Sequence, residues 1–143
     1  MQITQYGATV LGMTGTREGM TGAQRRRFAV ILGEATVLHH GDCVGADADA
    51  HDLARAHGCY IVVHPPADDR LRAYCAGDEV RTAKPYFARN RDIVDECDLL
   101  VATPKETKVH QRGGTWYTVG YAMSVGRRHV VIWPDGSITD DTI

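Results

Sequence analysis

Five short apolar runs alternate along this chain with stretches of helical periodicity, and glycine or proline stands at most of the junctions. Parallel strands cannot be joined by a tight turn and need a crossover, so this alternation is the pattern of a parallel sheet with crossover helices. The expected order is β-α-β-α-β-loop-α-β-α-β. That is an α/β fold, a three-layer sandwich around a parallel sheet of five strands or slightly more. With 143 residues and 43% hydrophobic content, one domain with a sizeable core is expected over the whole chain.

The first strand is expected at about Ala8 to Met13. Thr21 starts a helix, because its spacing to Gln24 fits a capping box and Phe28, Ile31, Leu32 and Ala35 then share a face. Thr36 to His40 is the second strand. A helix with Ala46, Ala50, Leu53, Ala54 and His57 on one side follows and ends near Gly58. Cys59 to His64 is the third strand, stopped by Pro65-Pro66, which lack N–H donors. Ala67 to Ala83 is polar and weakly patterned, and reads as a long lid or binding loop. Pro85 suits a first helical turn, with Tyr86, Asn90, Ile93, Val94 and Cys97 on one face. The fourth strand is Leu99 to Thr103, the last helix Thr115 to about Val125, and the fifth strand His129 to Trp133.

Right-handed crossovers bring the C-terminal ends of all these strands to one edge, and the polar motifs lie almost wholly in the loops leaving that edge. Gly113-Gly114-Thr115 joins a buried strand to a helix start, where bare backbone N–H groups and the helix dipole favour an anion. Gly15-Thr16-Arg17 closes the first strand, and its guanidinium can fork onto a phosphate or carboxylate. In Gly41-Asp42-Cys43-Val44-Gly45-Ala46-Asp47 two carboxylates stand about one turn apart at a helix start. Asp42 is expected to reach ribose hydroxyls or act as a base, and Asp47 either caps the helix or meets ligand. Gly41 and Gly45 of the second loop, with His64, Arg89 and Asn90, complete the candidate ligand-binding residues.

Several chemistries are disfavoured. Carboxylates beside Cys43 raise its thiol pKa and oppose a nucleophilic role. No metal or cofactor site is expected: His39 and His40 are adjacent on a strand and point to opposite faces, and the four cysteines contain no C-x-x-C pair. The net charge of −2 argues against nucleic acid, and Arg25-Arg26-Arg27 spread around a helix instead of forming a stripe. Trp116, Tyr117 and Tyr121 read as core or dimer-contact aromatics. Met1 to Gln5 carry no basic, apolar leader and no window is long enough to span a membrane, so a cytoplasmic protein is expected.

Taken together, Gly15-Thr16-Arg17, the Gly41-to-Asp47 loop, Arg89-Asn90 with Ile93-Val94 and Asp98, and Gly113-Gly114-Thr115 resemble the SLOG superfamily over about Ala8 to Trp133. That superfamily unites lonely-guy phosphoribohydrolases, the Rossmann-like domain of DNA-processing protein A, and many small bacterial and phage proteins. The chain is most similar to its small stand-alone bacterial or phage branch. The resemblance implies a Rossmann-like sheet, often a homodimer or higher homo-oligomer, that binds nucleotides or nucleotide-derived ligands at the glycine loops. In the phosphoribohydrolases an arginine and a glutamate act on the N-glycosidic bond. Arg89 matches the arginine, but Thr118 stands where the glutamate is expected.

The leading expectation is therefore binding of a nucleoside phosphate or ADP-ribose-like ligand. The alternative is an N-glycosidic hydrolase in which Asp42 or Asp47, with Arg89, replaces the missing glutamate. A third is a single-stranded DNA module.

Overall fold

A computed structural model describes residues 9–33 and 35–140. The strand start placed at Ala8 and the leader reading over Met1 to Gln5 lie outside them. Strands β1 (Val10–Gly15), β2 (Val37–His40), β3 (Tyr60–Val63), β4 (Glu79–Val80), β5 (Leu99–Thr103), β6 (His129–Ile132) and β7 (Ile138–Asp140) form one sheet. Helices α1 (Gly22–Leu32), α2 (Ala46–Ala56), α3 (Tyr86–Glu96) and α4 (Gly114–Ser124) flank it.

The strand order is β4-β3-β2-β1-β5-β6-β7. All neighbours are parallel except β6 and β7, which are antiparallel. The sheet thus has seven strands, more than the five apolar runs suggest. Both additions are short edge strands, and β4 lies inside the stretch Ala67 to Ala83 that reads as loop. An edge strand pairs on one side only, so neither needs an apolar run.

β5 is buried along its whole length, as a central parallel strand covered on both faces must be. Its side chains alternate: Leu99 and Val101 join the core layer of α1 and α2, while Leu100 and Ala102 join that of α3 and α4. Leu99 and Leu100 are fully buried, and each contributes about 1.5–3 kcal/mol through lost apolar exposure. Ala46, Ala50 and Ala54 are also fully buried. Their small side chains, one turn apart, seat α2 close to the sheet.

The helix ends follow the sequence. Thr21 caps α1, accepting from Gln24 N, while the Gln24 side chain accepts from Thr21 N at 2.9 Å. Gly58, just past α2, takes φ +74°, a conformation glycine adopts without strain. Arg25, Arg26 and Arg27 are exposed, and Arg25 pairs with Asp49. No helix among the described residues is long and apolar enough to cross a membrane.

Candidate functional site

Sequence order reverses between β1 and β5. From β1 the chain proceeds outward to β2 and β3, and from β5 outward to β6 on the other side. Loops leaving two such strands diverge and open a crevice at their C-terminal ends, the usual ligand position in open α/β sheets. Here that crevice is a cleft of about 280 Å³ lined by Gly15, Thr16, Arg17 and Glu18 after β1, by Lys105, Glu106 and the 112–116 stretch after β5, and by Tyr86 of α3.

The first two loops brace each other. Ala46 N donates to Thr16 O at 2.9 Å, and Thr16 N donates to Thr103 O at 3.1 Å. Gly45 has φ +95°, and a Cβ there would collide with the Thr16 and Arg17 carbonyls, so glycine is required. The Thr16 hydroxyl accepts from Glu18 N at 3.1 Å and shapes the turn. Arg17 is left exposed, donating to the Tyr86 hydroxyl at 3.2 Å, with no ion pair among the described residues.

Opposite stands the start of α4. Gly113 occupies the cap position with φ +106° and no side chain caps the helix, so its first N–H groups face the cleft. Gly114 lies against the Tyr86 ring: a Cβ there would come within 2.9 Å of Tyr86 Cε1. Thr115 lines the same cleft. Lys105 pairs with Glu18 at 2.9 Å, whereas Arg112 is exposed without an ion pair among the described residues.

Arg89 is buried and holds the floor. Its Nε donates to Asn90 Oδ1 at 2.6 Å, and its Nη1 donates to the carbonyls of Gly41 and His64. Nη2 reaches only Cys43 Sγ, at 3.8 Å, and the guanidinium lies 4.6 Å from the Tyr86 ring centre. Gly41 is needed because a Cβ would come within 2.6 Å of Nη1. Among the described residues this buried cation forms no ion pair.

The two aspartates of the second loop part company. Asp42, expected at the ligand, is fully buried with both oxygens taken: Oδ2 by Arg72 Nε at 2.6 Å and Oδ1 by Cys75 N at 2.8 Å. It ties the 67–77 stretch to β2 and does not line the cleft. Asp47 is 7% exposed; its Oδ2 accepts from Cys43 N at 3.2 Å, but its Oδ1 has no hydrogen-bond partner. Burial pushes its carboxyl up to about 6, against the pull of Arg89. Asp47, Arg89, Asn90, Cys43, Gly114 and Thr115 share the wall of an inner cavity of about 20 Å³, room for one water.

His64 does not enter the cleft: its ring meets His39 Nδ1 at 2.8 Å, and only its carbonyl serves Arg89. His39 and His40 do turn to opposite faces, yet each finds another histidine, His40 pairing with His51 at 3.0 Å. Cys43 has its thiol pKa raised by burial and then by Asp47, in the direction the neighbouring carboxylates suggest. Thr118 donates its hydroxyl to Gly114 O at 2.8 Å and is turned inward.

Tyr86 is the residue the sequence undervalues. Helical periodicity assigns it to the core face of α3, but it starts the helix and overhangs the sheet edge. There it separates the main cleft from a second hollow of about 390 Å³ lined by Arg17, Cys43, Pro66, Asp68, Arg70 and Leu71. Arg112, Lys105 and Glu106 are likewise invisible in the sequence, which offers no motif around them. Trp116 is buried and stacks on Trp133, its Nε1 donating to Glu106 at 3.1 Å.

No family model and no curated protein matches the sequence. Solved structures do match in fold. The molybdenum cofactor binding protein from the phototrophic bacterium Rippkaea orientalis gives a TM-score of 0.68 at 21% identity, over 87% of this chain and 76% of that one. The Moco carrier protein from Chlamydomonas reinhardtii gives 0.61 at 18%, over 85% and 74%. DNA processing protein A from Streptococcus pneumoniae gives 0.65 at 23%, over 88% of this chain and 50% of that one, so this chain spans half of that protein's length. The chain therefore has the Rossmann-like fold of these proteins, in agreement with the resemblance carried by its glycine loops.

Proposed function

We propose that this protein binds a phosphorylated nucleoside or a related nucleotide-derived ligand at the β1–β5 crevice. One observation carries the reading: the cleft joins an uncapped helix start at Gly113-Gly114-Thr115 to two arginines, Arg17 and Arg112, that have no carboxylate partners among the described residues. The Glu18 and Glu106 carboxylates that also line the cleft are taken up by Lys105 and by Trp116 Nε1, so the donors left open around it suit a phosphate. Gly113, Gly114 and Thr115 take one phosphate, and Gly15, Thr16 and Arg17 a second anionic group. Asp47 and Asn90 line the one-water inner cavity beside Gly114 and Thr115 and meet the sugar through that water, and the hollow beyond Tyr86 accommodates the flat base.

Two of the proteins with a similar fold are named for the molybdenum cofactor, and that compound is a further ligand to be tried. Native mass spectrometry of the purified protein tests the proposal. A co-purifying mass that fragments to a nucleoside phosphate, or retention of added AMP or ADP-ribose, supports it; retention of none of these overturns it.

A second reading, hydrolysis of an N-glycosidic bond, is favoured by the unpartnered Oδ1 of Asp47. A carboxylate whose pKa stands near 6 is poised to take a proton from water near neutral pH. Release of free base from a nucleoside monophosphate, lost in Asp47→Asn, is its test. We take the homodimer implied by the resemblance to form through α3 and α4, where half-exposed Phe87 stacks on Tyr117 at 4.1 Å; light scattering measures it.

A further inference from the structure

We propose that His39, His64 and Glu96 form a binding site for a divalent transition metal of the Zn²⁺ type, separate from the ligand crevice. His39 Nδ1 and His64 Nε2 face each other at 2.8 Å, the rings tilted by 37°, and both residues are at least nine-tenths buried. A Glu96 carboxylate oxygen completes a trio whose ligand atoms all lie within 4.8 Å of one another. The three come from β2, the residue just past β3 and the last residue of α3. Two imidazole nitrogens on Zn²⁺, each about 2.0–2.1 Å from the ion, stand roughly 3.3 Å apart, so the pair needs to open by about half an ångström.

The other histidine pair shows why this one is chosen. His40, His51 and Cys75 also converge. However, His40 Nδ1 accepts from Asp42 N at 2.9 Å, which fixes the neutral ring with its proton on Nε2, aimed at His51 Nδ1. The lone pair a metal needs is therefore occupied, and moving the proton to Nδ1 would set it against the Asp42 N–H. No backbone N–H among the described residues donates to His39 or His64, so both rings are free to take the tautomer that ligates.

Glu96 is presently held by Arg81 at 2.7 Å, and Arg81 also bonds Glu79. Binding passes the Glu96 carboxylate from Arg81 to the ion and leaves Arg81 on Glu79. The result is two imidazoles and a carboxylate with a fourth position for water, a familiar zinc arrangement.

Titration of chelator-treated protein with Co²⁺, followed by Zn²⁺ competition, tests this. The expected result is one ion per chain with the visible ligand-field bands of four-coordinate Co²⁺, displaced by Zn²⁺. His39→Asn and Glu96→Gln are each expected to weaken binding at least about 10-fold, while His57→Asn, on the exposed end of α2, leaves it unchanged. Glu96 is at the surface, so Glu96→Gln decides the matter if His39→Asn fails to fold. Absence of the bands, or equal affinity in wild type and Glu96→Gln, overturns the proposal.

Discussion

Asp47→Asn should make the protein more stable, and only above a definable pH. The carboxyl of Asp47 is 7% exposed, one oxygen lacks any partner, and its pKa stands at about 6 against an ordinary 3.8. A raised folded-state pKa means that the native protein binds the proton more tightly than the unfolded chain does. Stability is therefore complete below about pH 4 and falls as pH rises through 6. At 1.36 kcal/mol for each tenfold difference, the loss at pH 8 is about 3 kcal/mol. Asparagine stays neutral, can still accept from Cys43 N, and escapes that loss. Urea denaturation at pH 4.5 and pH 8 measures it: the variant is expected to be more stable by only about 1 kcal/mol at the lower pH, where the loss has just begun, and by about 3 kcal/mol at the higher. Equal destabilisation at both pH values would refute the reasoning, since it would mean that the charged carboxylate is well accommodated.

Gly114→Ala should cost about 1–3 kcal/mol, because the new Cβ meets the Tyr86 ring at 2.9 Å and Tyr86 cannot retreat without leaving Arg17; unchanged urea stability would contradict this. Thr103→Val should stabilise by about 1 kcal/mol, since the Thr103 hydroxyl is fully buried without a partner, and a lower melting temperature would show that the hydroxyl is satisfied.

Much of the scaffold is legible in the sequence, for local reasons. β5 runs over the same residues the apolar run marks, and the Thr21–Gln24 capping box and Gly58 end their helices as their chemistry demands. What escapes is set by partners distant in the chain. Asp42 looks like a ligand residue until Arg72 and Cys75, from the stretch with the weakest pattern, occupy both its oxygens. β4 and β7, of two and three residues, leave no periodic trace. Alternation along β2 separates His39 from His40, but it does not reveal that His64 and His51 wait on the two faces. Periodicity places Tyr86 on the inner face of α3, yet a residue at a helix start lies beyond the sheet it would cover.

Calorimetric titration of wild type and Arg17→Ala, side by side, with AMP, ADP-ribose and cyclic nucleotides tests the central claim most directly. Arg17 is exposed and its removal leaves the core intact. A charge-assisted hydrogen bond to phosphate is worth about 1.5–3 kcal/mol, so at least one of these ligands should bind the wild type and bind the variant roughly 10- to 150-fold more weakly. No heat from any of them up to millimolar concentration, or identical affinity in the two proteins, would contradict a phosphate-binding crevice between β1 and β5.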